Sequence, residues 1–265
     1  MKLNVVSRGP DTEAPNSRAL PPIVLLHGLF GRARNLGYFQ RRLAVTRRTL
    51  AIDLRNHGDS PHGQMDYTSM AFDLMETLAE HDALPATLVG HSMGGKAAMT
   101  LALSRPEAVS SLLIADIPPA RTGHGSFTLG EAMLRIEFPS YLNRAAADDL
   151  LLDAIPDADI RNLMLQNLRL GENPGWVIGL DEIVNSMTNI EGWPYIPEGH
   201  RYEGPTLFLA GETSQYIRAE DHPVMQRLFP NHGFEVIEKA GHWLHVENPA
   251  RFLQLVENFT AAFPG

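Results

Sequence analysis

Leu88–Met99 reads LVGHSMGGKAAM, and two chemical signatures overlap in it. Gly90-His91-Ser92-Met93-Gly94 is G-x-S-x-G, the sharp strand-to-helix turn that presents a serine nucleophile. Gly90 to Lys96 is also G-x-x-x-x-G-K, most of a phosphate-binding loop. Both motifs need a strand before and a helix after. Ala86-TLVG is an apolar run without alternation, and Gly94 to Ser104 is a helical stretch ended by Pro106. The phosphate reading fails on its own terms. Its lysine must be followed by Ser or Thr to bind magnesium, and here Ala97 follows. Asp53 or Asp116 would have to be forced into the role of metal acid. His91, Ser92 and Met93 also put side chains where small residues normally let backbone N–H groups close around phosphate.

Outward from this turn, the chain alternates strand and helix. Pro22-IVLLH, Arg48-TLAIDL and Val109–Ala115 (VSSLLIA) are further apolar runs, as expected of parallel strands buried on both faces. Lys2 to Ser7 reads as a short strand, and the polar stretch 9–20 as a loop or weak hairpin. Ser69 to Ala79 carries Ala71, Leu74, Met75 and Leu78 on one helical face. This rhythm predicts a mostly parallel, doubly wound α/β sheet. It stops after Pro118-Pro119. From about 120 to 203 no convincing buried strand appears, and four helical patterns take over. One has Leu129, Met133 and Ile136 on a face, and a second runs near Ala145 to Ile155. Ile160, Leu163, Met164 and Asn167 mark a third, and Val177, Leu180, Val184 and Met187 a fourth. Strands then resume with Pro205-TLFLAG and Phe234-EVIEKAG. A last helix carries Phe252, Leu255, Val256, Phe259 and Phe263. The expected organisation is a core of 1–119 and 204–265, with a helical cap of 120–203 inserted after the strand ending at about residue 115.

Bulk properties narrow the functional classes. The chain has 265 residues, no cysteine and a formal net charge of −9. Disulfides, thiolate metal sites and a cysteine nucleophile are excluded. An acidic total speaks against nucleic acid, whose binders draw affinity from basic residues. No stretch approaches the roughly 18 apolar residues of a membrane span. The N-terminal MKLNVVSRGPDTEA has no apolar core of a signal peptide. The expectation is a cytoplasmic protein with no membrane span.

A serine on such a turn makes demands elsewhere. Gly90 and Gly94 must be small because the turn is tight. The oxyanion hole needs the N–H of Met93 and another from the loop after Ile23–Leu26, which is His27-Gly28-Leu29-Phe30-Gly31. Gly28 would let the chain turn so that the Leu29 N–H points inward. The order serine, acid, histidine requires a histidine after the last strand, and Ala240-Gly241-His242-Trp243 supplies it. His245 is the competitor and is expected to start the last helix.

HGLFG at 27–31, DLRNHGDS at 53–60, GHSMGG at 90–95 and AGHWLHVENP at 240–249 together resemble the α/β-hydrolase fold. They are similar in particular to a subgroup of small capped carboxylesterases and acyl-CoA thioesterase-like hydrolases. The resemblance covers the sheet-forming parts, roughly 1–120 and 203–265; the cap matches only in position and helical character. In most of the fold the acid follows the strand that here is Thr206 to Ala210, yet Ser214 stands at that place. The subgroup shares this loss and uses an aspartate one strand earlier, which corresponds to Asp116. An acid there ends the strand beside the one bearing Ser92, on the same sheet edge, and can reach the histidine Nδ1–H. Glu212 is the alternative acid, and a turn cap is the alternative role of Asp116. Ser214 is a candidate to hydrogen-bond the histidine or the acid.

The resemblance implies a serine carboxylesterase acting on small or medium acyl esters, with acyl thioesters as a further class, through Ser92, His242 and Asp116 and an acyl-enzyme. Leu29 and Met93 form the oxyanion hole, and Phe30 and Trp243 are candidate substrate contacts. No metal or organic cofactor is called for. His91 is expected to be a packed neighbour of the serine, His27 to brace the oxyanion loop and His57 to pack below the site. Arg55 and Lys96 are candidates to attract an anionic group. Their ordinary roles would be structural hydrogen bonding for Arg55 and a helix-surface charge for Lys96. Trp176 and Trp193, like Trp243, read as core or pocket wall. The rival functions are perhydrolase or haloperoxidase-like activity, C–C bond hydrolysis, and non-catalytic ligand binding on the same fold. Oligomeric state is not legible.

Overall fold

The apolar runs without alternation become the middle of one sheet. The computed structural model describes residues 1–10, 20–123 and 126–264. Most of the loop or weak hairpin expected over 9–20 lies outside the described residues. The chain opens with β1 (Val5–Arg8) and β2 (Ile23–Leu26), turns through α1 (Gly37–Leu43) and returns as β3 (Thr49–Ile52). α2 (Tyr67–Glu80), β4 (Ala86–His91), α3 (Met93–Ser104) and β5 (Val109–Ala115) follow. The insertion holds α4 (Ser126–Leu134), β6 (Tyr141–Leu142), α5 (Arg144–Leu152), α6 (Ala158–Leu165), β7 (Leu168–Arg169), β8 (Gly171–Glu172), β9 (Gly175–Trp176), α7 (Leu180–Asn185) and α8 (Met187–Glu191). β10 (Thr206–Gly211), α9 (His222–Leu228), β11 (His232–Ile237), α10 (Leu244–Glu247) and α11 (Pro249–Ala262) complete it.

The strand order is β1-β3-β2-β4-β5-β10-β11, and only β1 runs antiparallel to its neighbour. Every residue of β2, β3 and β4 is buried. Alternation hidden in the composition becomes visible in the packing. Val24 and Leu26 point into a cluster with Met70, Leu74 and Ala98 of α2 and α3. Ile23 and Leu25 point the other way, against Phe39 of α1 and Phe252 and Phe259 of α11. Truncating such a buried leucine to alanine costs about 2–5 kcal/mol. α2 starts where Asp66 accepts the Ser69 N–H at 2.7 Å, satisfying one free donor of its first turn.

The insertion departs from the expected all-helical cap. β6 pairs with β8 and β7 with β9, each antiparallel and two residues long. Such short pieces leave no period-two pattern to read. The fourth expected helix is split at Ser186 into α7 and α8. α1 and α9, seven residues each, are too short to impose a periodicity and were not among the expected elements. Among the described residues no helix is long and apolar enough to cross a membrane.

Candidate active site

Ser92 sits between β4 and α3 with φ 51° and ψ −119°, a conformation that L-residues avoid. Its neighbours make the turn possible. A Cβ on Gly90 would lie 2.6 Å from the Gly94 carbonyl oxygen, and one on Gly94 would lie 2.5 Å from the His27 carbonyl oxygen. The Ser92 hydroxyl donates to His242 Nε2 at 3.0 Å, and His242 Nδ1–H donates to Asp116 Oδ2 at 2.8 Å.

Asp116 is wholly buried. Its Oδ1 accepts the Gly211 N–H at 3.1 Å, and its Oδ2 also accepts a short bond from the Ser214 hydroxyl. Each carboxylate oxygen is therefore partnered, which a buried charge requires. Asp116 follows β5, and its N–H donates to the Leu209 carbonyl of β10. Gly211 and Ser214 thus approach it from the adjacent strand and its loop. Glu212 faces elsewhere: its Oε2 accepts the Lys239 N–H at 2.7 Å. Tyr216 lies flat on the His242 ring, centroids 3.6 Å apart and planes 11° off parallel. No sequence motif pointed to Tyr216.

The loop before the site is braced by two neutral imidazoles. His57 Nε2 accepts the Phe30 N–H at 3.0 Å while its Nδ1–H donates to the Arg55 carbonyl. His27 Nε2 accepts the Leu54 N–H at 3.0 Å. Burial pushes the His57 pKa down to about 3 and lowers that of His27, so both remain uncharged and able to accept. Gly28 has a different role from the turn expected of it. The positive φ falls on Phe30, at 59°, whereas a Cβ on Gly28 would meet His91 Nδ1 at 2.8 Å. Closeness to His91, not backbone freedom, is what demands glycine there.

His91 Nε2–H donates to the His242 carbonyl at 2.8 Å, and its ring packs 4.5 Å from that of His245. Burial holds His91 well below its usual pKa and His245 at about 4. His245 belongs to α10, a short helix preceding the last one rather than its start. Arg55 is structural, paired with the buried Asp73 at 2.6 Å.

Lys96 corrects the expectation of a helix-surface charge. Met93 to Leu103 of α3 are all buried, Lys96 among them, because α3 is covered by the sheet, by α2 and by the insertion. Its Nζ donates to Thr122 Oγ1 at 2.9 Å, the Gly192 carbonyl at 2.7 Å and the Glu191 carbonyl at 3.2 Å. Burial pushes its pKa down to about 7. A lysine on an apolar helix gave the sequence signal, but its acceptors lie across the chain.

Among the described residues, two spaces border Ser92. A chamber of about 680 Å³ runs under α4 and α6 and is bordered by Phe30, His242 and Trp243. A recess of about 40 Å³ is bordered by Leu29, Met93 and Lys96. The structure therefore brings Ser92, His242 and Asp116 into one hydrogen-bonded line, with Leu29 and Met93 beside the serine. With a serine, an imidazole and a buried carboxylate in this order, the imidazole can deprotonate the serine as it attacks a carbonyl.

The pattern that describes the alpha/beta hydrolase fold matches residues 21–249. The mouse (Mus musculus) sn-1-specific diacylglycerol lipase ABHD11 is 39% identical over 252 residues, covering 91% of this chain and 81% of its own. Escherichia coli esterase YbfF is 31% identical over 264 residues, covering 98% and 99%. The solved structure of a marine microorganism esterase superposes with a TM-score of 0.90 at 31% identity, covering 98% of this chain and 99% of that one. The chain belongs to the α/β-hydrolase fold family. With esterases and a lipase as relatives over nearly its whole length, it is a carboxylic-ester hydrolase.

Proposed function

We propose that Ser92 is the nucleophile of this esterase, His242 its general base and acid, and Asp116 the carboxylate that fixes the histidine. The carrying observation is the line Ser92 Oγ–His242 Nε2–His242 Nδ1–Asp116 Oδ2, at 3.0 and 2.8 Å. His242 takes the Ser92 proton as Oγ attacks the ester carbonyl. The N–H groups of Leu29 and Met93 receive the oxyanion. His242 passes the proton to the leaving alcohol, then activates water to clear the acyl-enzyme. Phe30 and Trp243 touch substrate from the wall of the larger chamber. Substrates are small-molecule esters with small or medium acyl groups, and acyl thioesters follow the same steps. The core of 1–119 with 204–265 carries the chemistry, and the cap of 120–203 roofs the chamber. The enzyme is taken as cytoplasmic.

A fluorophosphonate probe tests this directly. The protein should be labelled at Ser92 and should hydrolyse p-nitrophenyl butyrate. Ser92→Ala should lose both. Labelling at another residue, or turnover that survives the substitution, would remove Ser92 from its role.

A further inference from the structure

The two spaces at Ser92 share Leu29, Ser92 and Tyr216, and beyond these three they have different walls. His242 and Trp243 border only the chamber. Met93 and Lys96 border only the recess. The chemistry assigns a direction to each. In the tetrahedral intermediate the oxyanion points at the Leu29 and Met93 N–H groups. The leaving oxygen must receive its proton from His242 Nε2, so the alcohol part extends toward His242. The acyl chain takes the remaining direction, away from the imidazole.

We infer that the recess beside Met93 and Lys96 is the acyl site and the chamber beside His242 the alcohol site, so that the enzyme selects esters of a short acid with a large apolar alcohol. This deepens the esterase reading above and rests on it. Size sets the limit on the acid. One water-sized group needs roughly 10–15 Å³ of such space. A recess of about 40 Å³ therefore takes three non-hydrogen atoms beyond the carbonyl, a butyryl group, by that measure about the largest. The recess is also tied in place. One of its walls is Lys96, held by Thr122 and by the Glu191 and Gly192 carbonyls. Its side wall includes Ile190, whose carbonyl accepts the Tyr67 hydroxyl at 2.6 Å. A chain that displaced either wall would break these bonds. The chamber offers apolar walls from Leu129, Ile160, Leu163 and Met164. There each buried methylene adds about fourfold in binding.

Two ester series decide the matter. In p-nitrophenyl esters of rising acyl length, kcat/KM should fall more than tenfold between butyrate and octanoate. In butyrate esters of rising alcohol length, followed by acid release, kcat/KM should rise from ethyl to octyl. Met187→Ala opens the recess wall and should raise octanoate relative to butyrate at least tenfold, leaving the alcohol series unchanged. Leu163→Trp narrows the chamber and should truncate the alcohol series alone. The wild-type series stand by themselves if either variant fails to fold. Free acceptance of long acyl groups, or a flat response to alcohol length, would overturn the assignment while leaving the esterase intact. No turnover of any ester would overturn the esterase reading and this one with it.

Discussion

Replacing Asp116 by asparagine should cost about 10⁴-fold in kcat, the scale of neutralising a triad acid and equal to about 5.5 kcal/mol of barrier. The surrounding bonds give the reason. Oδ1 accepts the Gly211 N–H at 3.1 Å. An asparagine must keep its carbonyl oxygen on that side, since an amino group there would put donor against donor. Its NH₂ is thereby forced into the place of Oδ2, facing Ser214 and His242 Nδ1. The Ser214 hydroxyl can rotate to accept. His242 can accept only by losing the Nδ1 proton and carrying it on Nε2 instead, where it points at Ser92 and leaves no base. Ser214→Ala is the graded control. It removes one hydrogen bond to a charged acceptor, worth roughly 1.5–3 kcal/mol, so the loss should stay within about 10²-fold. Glu212→Gln should stay within about twofold of wild type, because that carboxylate accepts from Lys239 N–H and surface changes are small. The assay is kcat on p-nitrophenyl butyrate with each variant's fold checked by circular dichroism. An Asp116→Asn enzyme within tenfold of wild type, or a Glu212→Gln enzyme as damaged as it, would refute the assignment.

Three further outcomes follow from the geometry. Tyr216→Ala removes the ring stacked on His242, and a loss of about 2–12-fold in kcat is expected from the 0.5–1.5 kcal/mol of such a contact; an unchanged rate would mean the stack does not position the imidazole. Gly94→Ala should give protein that is unfolded or strongly lowered in Tm, because the added methyl meets backbone rather than a movable side chain; a normal melting curve would contradict the packing. Burial pushes the Lys96 pKa down to about 7 in the folded protein, from the ordinary lysine value of 10.5 that holds in the unfolded chain. The unfolded chain binds the extra proton across that window, so this group makes stability rise with pH from about 7 to 10. Lys96→Met should flatten the rise by about 2 kcal/mol between pH 7 and 9, read from urea unfolding; equal slopes for the two proteins would exclude it.

The core strands were legible because burial on both faces leaves uninterrupted apolar runs such as IVLL and TLAI. Ser92 and His242 were legible because a strained turn and a strand-end histidine carry fixed local spacing. Asp116 has no such signature. It depends on which strand lies next to which, so resemblance and sheet order point to it rather than any local motif, and the hydrogen bond joins it to His242. Lys96 and Tyr216 show the limit more sharply. Whether a lysine on an apolar helix is wet or dry is decided by what covers it, and its partners at Thr122 and Gly192 are remote in sequence. The cap's strand pairs are only two residues long and leave no period to read, since a period needs length to exist.

Ser214 and Asp116 lie 98 positions apart and touch. The loops after β5 and β10 therefore deliver their side chains to one point in space. A carboxylate can be supplied there from either loop, with a hydroxyl from the other. The address of the acid in the chain is then free to migrate, provided the pair of side chains is exchanged together. Ser214→Asp with Asp116→Ser would be the smallest such relocation. On the proposed triad, a search of sequences that insists on an aspartate in the later loop would pass over this protein, because the carboxylate bonded to His242 enters from the earlier one.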